Sequence, residues 1–165
     1  MFHDVVIVIA KYLVAVPVVV SGLWWLLRAS RSARVRYLVL LAGGGVVAYA
    51  LSKIGGHFYD DPRPFIADQV VPYFRSATDN GFPSDHTLFA TVVAAAMWPF
   101  DRRLSALFYV IAVAVGLARV VAGVHHGVDV IGGLAIGTAS VALVWQVQRV
   151  VVRAWPATSE TQRSQ

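Results

Sequence analysis

Five long apolar segments follow one another along the chain, at about residues 5–27, 37–55, 85–100, 104–122 and 128–148, and the polar residues collect between them. A helix needs roughly 17 to 25 apolar residues to cross a bilayer, and it satisfies its own backbone there. The pattern predicts an all-α, polytopic transmembrane helical bundle of about five spans. Residues 1–155 read as a single membrane-embedded domain and 156–165 as a polar tail, with no repeat or linker between. Gly43, Gly44 and Gly45 in the second span, and Gly133 and Gly137 in the fifth, suit close helix approach. Lys11 falls near one end of the first span, where its long stem would let it snorkel.

Composition agrees with this reading. Hydrophobic residues make up 58% of the 165 and charged residues 14%, outside the usual soluble range. The absence of cysteine excludes disulfides and thiolate metal ligands. His3 and Asp4 stand where a cleaved signal would carry basic residues, so the first segment reads as a span.

A net charge of +5 could suggest a nucleic-acid partner, but its distribution argues against one. Arg28, Arg31, Arg34, Arg36, Arg102, Arg103, Arg149, Arg153 and Arg163 all fall on one side if the spans alternate. The positive-inside rule makes that side cytoplasmic. The amino terminus, the 56–83 connection and the 119–127 turn then face outward, with seven aspartates and all five histidines. Any chemistry is expected on the outer face of a cell membrane. The 56–83 connection is the only long one, and long structured loops are often functional. Within it "ADQVVPYFRSA" mixes apolar and polar residues, as a stretch lying in the membrane interface would.

Three clusters interrupt the pattern. "DDPRPF" holds Arg63 between Pro62 and Pro64, and a guanidinium fork presented from a stiff segment suits a phosphate. "GFPSDHT" begins the third span. It offers Ser84 or Asp85 as a cap, Pro83 as a first-turn proline, and His86 beside a helix start that can receive an anion. "ARVVAGVHHGVDV" ends the fourth span at Arg119 and begins the fifth at Asp129. His125 lies four residues before Asp129, so one helical turn would let the carboxylate hold one ring nitrogen and leave the other basic. His126, three before Asp129, fits almost as well. Two arginines, a serine, two or more histidines and an orienting carboxylate point to phosphoryl transfer. A metal site of His86, His125, His126 and Asp129 is a rival, disfavoured by the adjacent arginines. A small transporter or channel is the non-enzymatic alternative, disfavoured because the charges gather at span ends.

The ordered clusters resemble the type 2 phosphatidic acid phosphatase superfamily of membrane lipid phosphatases. Its third motif, Ser-Arg, five residues, His, three residues, Asp, reads here as Ala118-Arg119, then His125, then Asp129. Its second, Pro-Ser-Gly-His, reads Pro83-Ser84-Asp85-His86. Its first, Lys, six residues, Arg-Pro, survives as Arg63-Pro64. Within the family, "DDPRPF" and "FPSDHT" resemble the bacitracin-resistance type of undecaprenyl-diphosphate phosphatase. Ala118 replaces the motif serine, and Gly56 stands where the motif lysine belongs, with Lys53 one helical turn earlier.

The resemblance implies hydrolysis of a polyprenyl diphosphate to the monophosphate and inorganic phosphate, without metal or other cofactor, in recycling of the cell-wall carrier lipid. It implies His125 as the nucleophile forming a phosphohistidine, Asp129 as the residue that orients it and His86 as the proton donor. Arg63, Arg119, Ser84 and Lys53 would hold the phosphate, with His57 or Lys11 as the alternative partial substitutes for the motif lysine, and His126 falls in the variable part of the motif. The lipid itself is not legible. Phosphatidylglycerol phosphate, phosphatidate or another polyprenyl phosphate would suit the same motifs. Membrane lipids are the other expected contacts, and no oligomeric state is implied.

Overall fold

A computed structural model describes residues 1–154, with side chains through Val151. The polar tail expected over 156–165 lies outside the described residues. Within them the chain forms seven helices and no strand: α1 (Phe2–Tyr12), α2 (Ala15–Leu27), α3 (Arg31–Phe58), α4 (Pro64–Ala67), α5 (Asp85–Met97), α6 (Arg102–Val121) and α7 (Gly127–Ala154).

Three of these helices, α3, α6 and α7, are long and apolar enough to cross a bilayer alone. The first expected span is not one straight helix: α1 and α2 meet at a 44° bend. The physical cause is Pro17. A proline ring collides with the carbonyl four residues back and offers it no N–H. That carbonyl belongs to Leu13, which accepts instead from the Val16 N–H at 3.0 Å. The third expected span is also shorter than its apolar run. Pro99 has no N–H for the Ala95 carbonyl four residues back; that carbonyl accepts instead from the Trp98 N–H at 3.1 Å, and α5 stops at Met97. Its 13 residues need no lipid-facing length, because ten of them are buried.

α5 is the axis of the bundle, packed against α3, α6 and α7 and touched by α2. Glycine permits the closest approach. A Cβ on Gly137 would stand 2.9 Å from the Thr91 Cβ, and one on Gly133 would stand 3.1 Å from the Ser84 carbonyl oxygen. On the other side of α7, a Cβ on Gly44 of α3 would lie 2.6 Å from the Val141 Cγ2. The main core gathers Leu40, Leu88, Val92, Val93, Met97, Phe108 and Val141. A smaller cluster of Val6, Ala10, Ala118, Ala122 and Val124 joins α1 to the end of α6. Tyr73 and Phe74 of the long loop pack onto that cluster, and the Tyr73 N–H donates to the Ala122 carbonyl at 3.0 Å. The aromatic pair is thus turned inward onto the protein.

At one end of the bundle, aromatic rings carry cations. Arg34 lies over Trp25, Arg102 over Trp98 and Arg149 over Trp145. At the opposite end, the start of α5, the end of α6 and the start of α7 converge beneath the 59–84 loop.

Candidate active site

The Ala122–His126 turn after α6 is shaped for its contents. Gly123 takes φ of +71°, a left-handed conformation that glycine adopts without steric cost. The chain then reverses, and α7 starts with Asp129 in its first turn. The expected four-residue relation appears directly: Asp129 Oδ2 lies 3.1 Å from His125 Nδ1. The same oxygen accepts the His126 backbone N–H at 2.9 Å. Both side chains are buried, His125 at 2% exposure and Asp129 at 0%. With Nδ1–H donating to the carboxylate, Nε2 keeps its lone pair, and it faces Arg63 Nη1 at 3.2 Å. Burial holds His125 below the ordinary histidine range, Asp129 opposes this, and the Arg119 and Arg63 charges reinforce it. A neutral ring with one bare nitrogen is what a nucleophile requires.

Arg63 is buried, and each of its guanidinium nitrogens has a partner. Nη1 also donates to the Val124 carbonyl at 3.0 Å, while Nε and Nη2 donate to Asp79 Oδ1 at 3.2 and 2.9 Å. The loop presenting it is tied by Asn80. The Asn80 amide oxygen accepts from Asp61 N and Phe82 N, and its nitrogen donates to the Gly56 and Tyr59 carbonyls. Sequence reasoning singled out neither Asp79 nor Asn80. No period or motif links them to Arg63, 16 and 17 residues away, and only the folded loop brings them there.

Arg119 is buried at the end of α6. Its Nη1 donates to the Ala10 carbonyl at 3.3 Å, and its Nε is buried without a partner. Lys11 lies over the same Phe74 ring that Arg119 faces. Ser84 is the N-cap of α5, but its side chain makes no cap hydrogen bond, and Pro83 precedes the cap instead of occupying the first turn. Ser84 Oγ accepts from Thr87 Oγ1 at 3.2 Å, which leaves its own proton to donate. Its backbone N–H donates to the Asp129 carbonyl, joining the two helix starts. His86, half-buried in the first turn of α5, is near enough to feel the charges of Arg119, His125 and Arg63.

Lys53 is not in this cluster. It is exposed on α3 and lines a neighbouring cavity. The vacant motif position is closed: a Cβ on Gly56 would stand 3.1 Å from the Phe82 carbonyl oxygen and 3.4 Å from Asn80 Nδ2.

His126 faces away from the nucleophilic nitrogen. Its Nδ1 and Nε2 each lie 3.2 Å from a carboxylate, Asp61 and Asp68 respectively. Burial pulls it down, but Asp68 and Asp61 prevail and hold it above the usual histidine range. Burial and the nearby Asp129 charge raise Asp61 in turn. Among the described residues one group has metal-ligand spacing, Asp61, His126 and Asp129, within 4.8 Å of one another. Its membership differs from the rival set read from the sequence, and Asp129 Oδ1 is buried without a hydrogen-bond partner.

The PAP2 superfamily model matches residues 33–153. The chain belongs to the PAP2 superfamily. This is the family of type 2 phosphatidic acid phosphatases that the three motifs resemble, and it makes the chain a membrane lipid phosphatase. It is similar to the bacitracin transport permease protein BcrC of Bacillus licheniformis, at 31% identity over 147 residues, covering 88% of this chain and 71% of that one. It is also similar to the undecaprenyl-diphosphatase BcrC of Bacillus subtilis (strain 168), at 29% over 134 residues, covering 81% and 68%. The crystal structure of Aquifex aeolicus LpxE shares the fold, with a TM-score of 0.63 at 22% identity over 88% of this chain and 84% of that one.

Proposed function

We propose that this PAP2 phosphatase hydrolyses undecaprenyl-type polyprenyl diphosphate to the monophosphate and inorganic phosphate, through a phosphohistidine on His125. The observation that carries the reading is the placement of the His125 ring, with Nδ1 on Asp129 and Nε2 turned to Arg63. Nε2 attacks the terminal phosphorus, and the bond from that phosphorus to the bridging oxygen breaks. His86 gives the departing oxygen its proton. Water then attacks the phosphohistidine, its proton passes to His86, and the P–N bond breaks to release phosphate. Asp129 stabilises the positive charge the ring acquires on phosphorylation. Arg63, Arg119 and the Ser84 hydroxyl neutralise the transferred oxygens, so the residues supply the charge stabilisation without metal.

An apolar groove of about 520 Å³ between α2, α3 and α5 supports a lipid substrate. Trp25, Leu41 and Val92 line it, and it ends at Ser52 and Asp85 beside the start of α5. The arginine and tryptophan pairs at the far end support an orientation with the site on the outer face of the cell membrane. The name of the undecaprenyl-diphosphatase relative supports the polyprenyl chain.

The test is phosphate release by the purified protein from polyprenyl diphosphate, phosphatidate and phosphatidylglycerol phosphate, each with and without EDTA. The expected result is preference for the diphosphate and activity that survives chelation. Loss on chelation with rescue by one divalent ion, or preference for a glycerolipid, would overturn the corresponding part.

A further inference from the structure

The apolar groove does not open straight onto His125. Beside the groove lies a polar cavity of about 350 Å³, sharing Ser52 and Asp85 with it. Its far wall includes Asp79, the carboxylate that holds Arg63, and Pro83, the residue before Ser84. Lys53 and His57 complete it from α3. Four residues apart, they project from one face of that helix.

We infer that this cavity is a subsite for the lipid-proximal phosphate of a diphosphate substrate, with Lys53 as its cation. The inference rests on the reading of the chain as a lipid diphosphatase. The two phosphorus atoms of a diphosphate share one oxygen, so the second phosphate must lie beside the first, on the side from which the lipid comes. The cavity adjoins the groove through Ser52 and Asp85, and it adjoins Arg63 through Asp79.

Its charge suits the same occupant. Asp79 is paired with Arg63 at 2.9 Å. Among the described residues, Lys53 makes no ion pair, and its ammonium rests over the Tyr49 ring at 5.3 Å. Asp85 also lines the cavity, and among the described residues Lys53 is its one lysine or arginine, against the two buried arginines of the site beside His125. Position 56 is closed by Asn80 and Phe82, while Lys53, one helical turn earlier, lines the cavity.

The experiment measures kcat/KM of the purified full chain on a polyprenyl diphosphate and on the monophosphate of the same chain length, before and after Lys53→Met. Lys53 is exposed, so the variant should fold. The ratio of diphosphate to monophosphate kcat/KM should fall about fivefold, in KM more than in kcat, as expected for one partly solvated cation on a phosphate. Equal losses on both lipids would overturn the inference by assigning Lys53 to the transferred phosphate. No loss on either would overturn it by emptying the cavity of a role. If the unaltered protein hydrolysed the monophosphate alone, the reading of the substrate would fall first, and with it this subsite.

Discussion

Asp129→Asn isolates the group on which the nucleophile depends. The Asp129 side chain is wholly buried, and one oxygen, Oδ2, receives both the His125 ring and the His126 backbone N–H. A hydrogen bond to a charged group contributes about 1.5–3 kcal/mol and a neutral one about 1 kcal/mol. Replacing two of the first kind by at best one or two of the second removes roughly 2–4 kcal/mol. Part of that loss is common to the resting and reacting states. The rest grows in the reaction, because phosphorylation leaves a positive ring that asparagine cannot neutralise. The amide nitrogen can also face Nδ1 and force the other tautomer, which would place a proton on the attacking Nε2. Phosphoenzyme formation should therefore slow by about 10- to 10²-fold, at 1.36 kcal/mol per factor of ten. The assay is rapid mixing with diphosphate labelled on its terminal phosphate, quenched in base, alongside thermal unfolding in detergent. A phosphorylation rate within about threefold of the unaltered protein, with unchanged unfolding, would refute the orienting role.

The tie between His126, Asp61 and Asp68 should appear as a pH dependence of stability. The folded pKa of His126 is raised, so its contribution is complete below the ordinary value near 6.5 and fades as pH climbs through the folded value. Asp61, Asp68 and Asp129 are the charged groups facing it. Melting temperature should drift down across that interval in the unaltered protein and less so in Asp68→Asn; identical slopes would contradict the tie. Because the ring points away from the reaction centre, His126→Ala should keep most phosphoenzyme formation, and its loss in well-folded protein would move the nucleophile assignment. Gly137→Ala should lower stability by about 1–3 kcal/mol through crowding of α5, whereas Gly45→Ala, with nothing within 4 Å, should raise it by up to about 1 kcal/mol. Thermal unfolding of the pair in detergent separates packing from propensity, and equal shifts would refute the close-approach argument. Cysteines placed at positions 2 and 160 should be labelled from opposite faces of sealed vesicles, and labelling from one face would sink the topology.

Much of the site was legible because its chemistry is local in sequence. The four-residue spacing of His125 and Asp129 becomes a contact across the start of α7, with His125 in the turn before it, and α5 does begin after Ser84, although that side chain makes no cap hydrogen bond. The span pattern was legible too, since the five apolar runs correspond to α1 with α2, α3, α5, α6 and α7. The departures have local causes that uniform hydropathy conceals. Pro17 withholds one N–H from Leu13 and bends the first span, and Pro99 ends α5 early. What could not be read is the arrangement of the 59–84 loop. Nothing in the order of residues says that Asp79 would take the Arg63 fork, that Asn80 would occupy the space beside Gly56, or that Asp61 and Asp68 would divide the two nitrogens of His126. These contacts join residues 16 to 65 positions apart, and each depends on the loop closing over helix ends already fixed by packing.

Trapping the phosphorylated residue tests the central claim most directly. Purified protein mixed briefly with terminally labelled polyprenyl diphosphate, quenched in base and digested, should yield one labelled peptide carrying phosphate on His125. His125→Ala should yield none while remaining folded, and His86→Ala should accumulate label if its role in the hydrolysis of the intermediate is slowed. Label on His126 or His86, or steady turnover by His125→Ala without any trapped phosphate, would contradict the account.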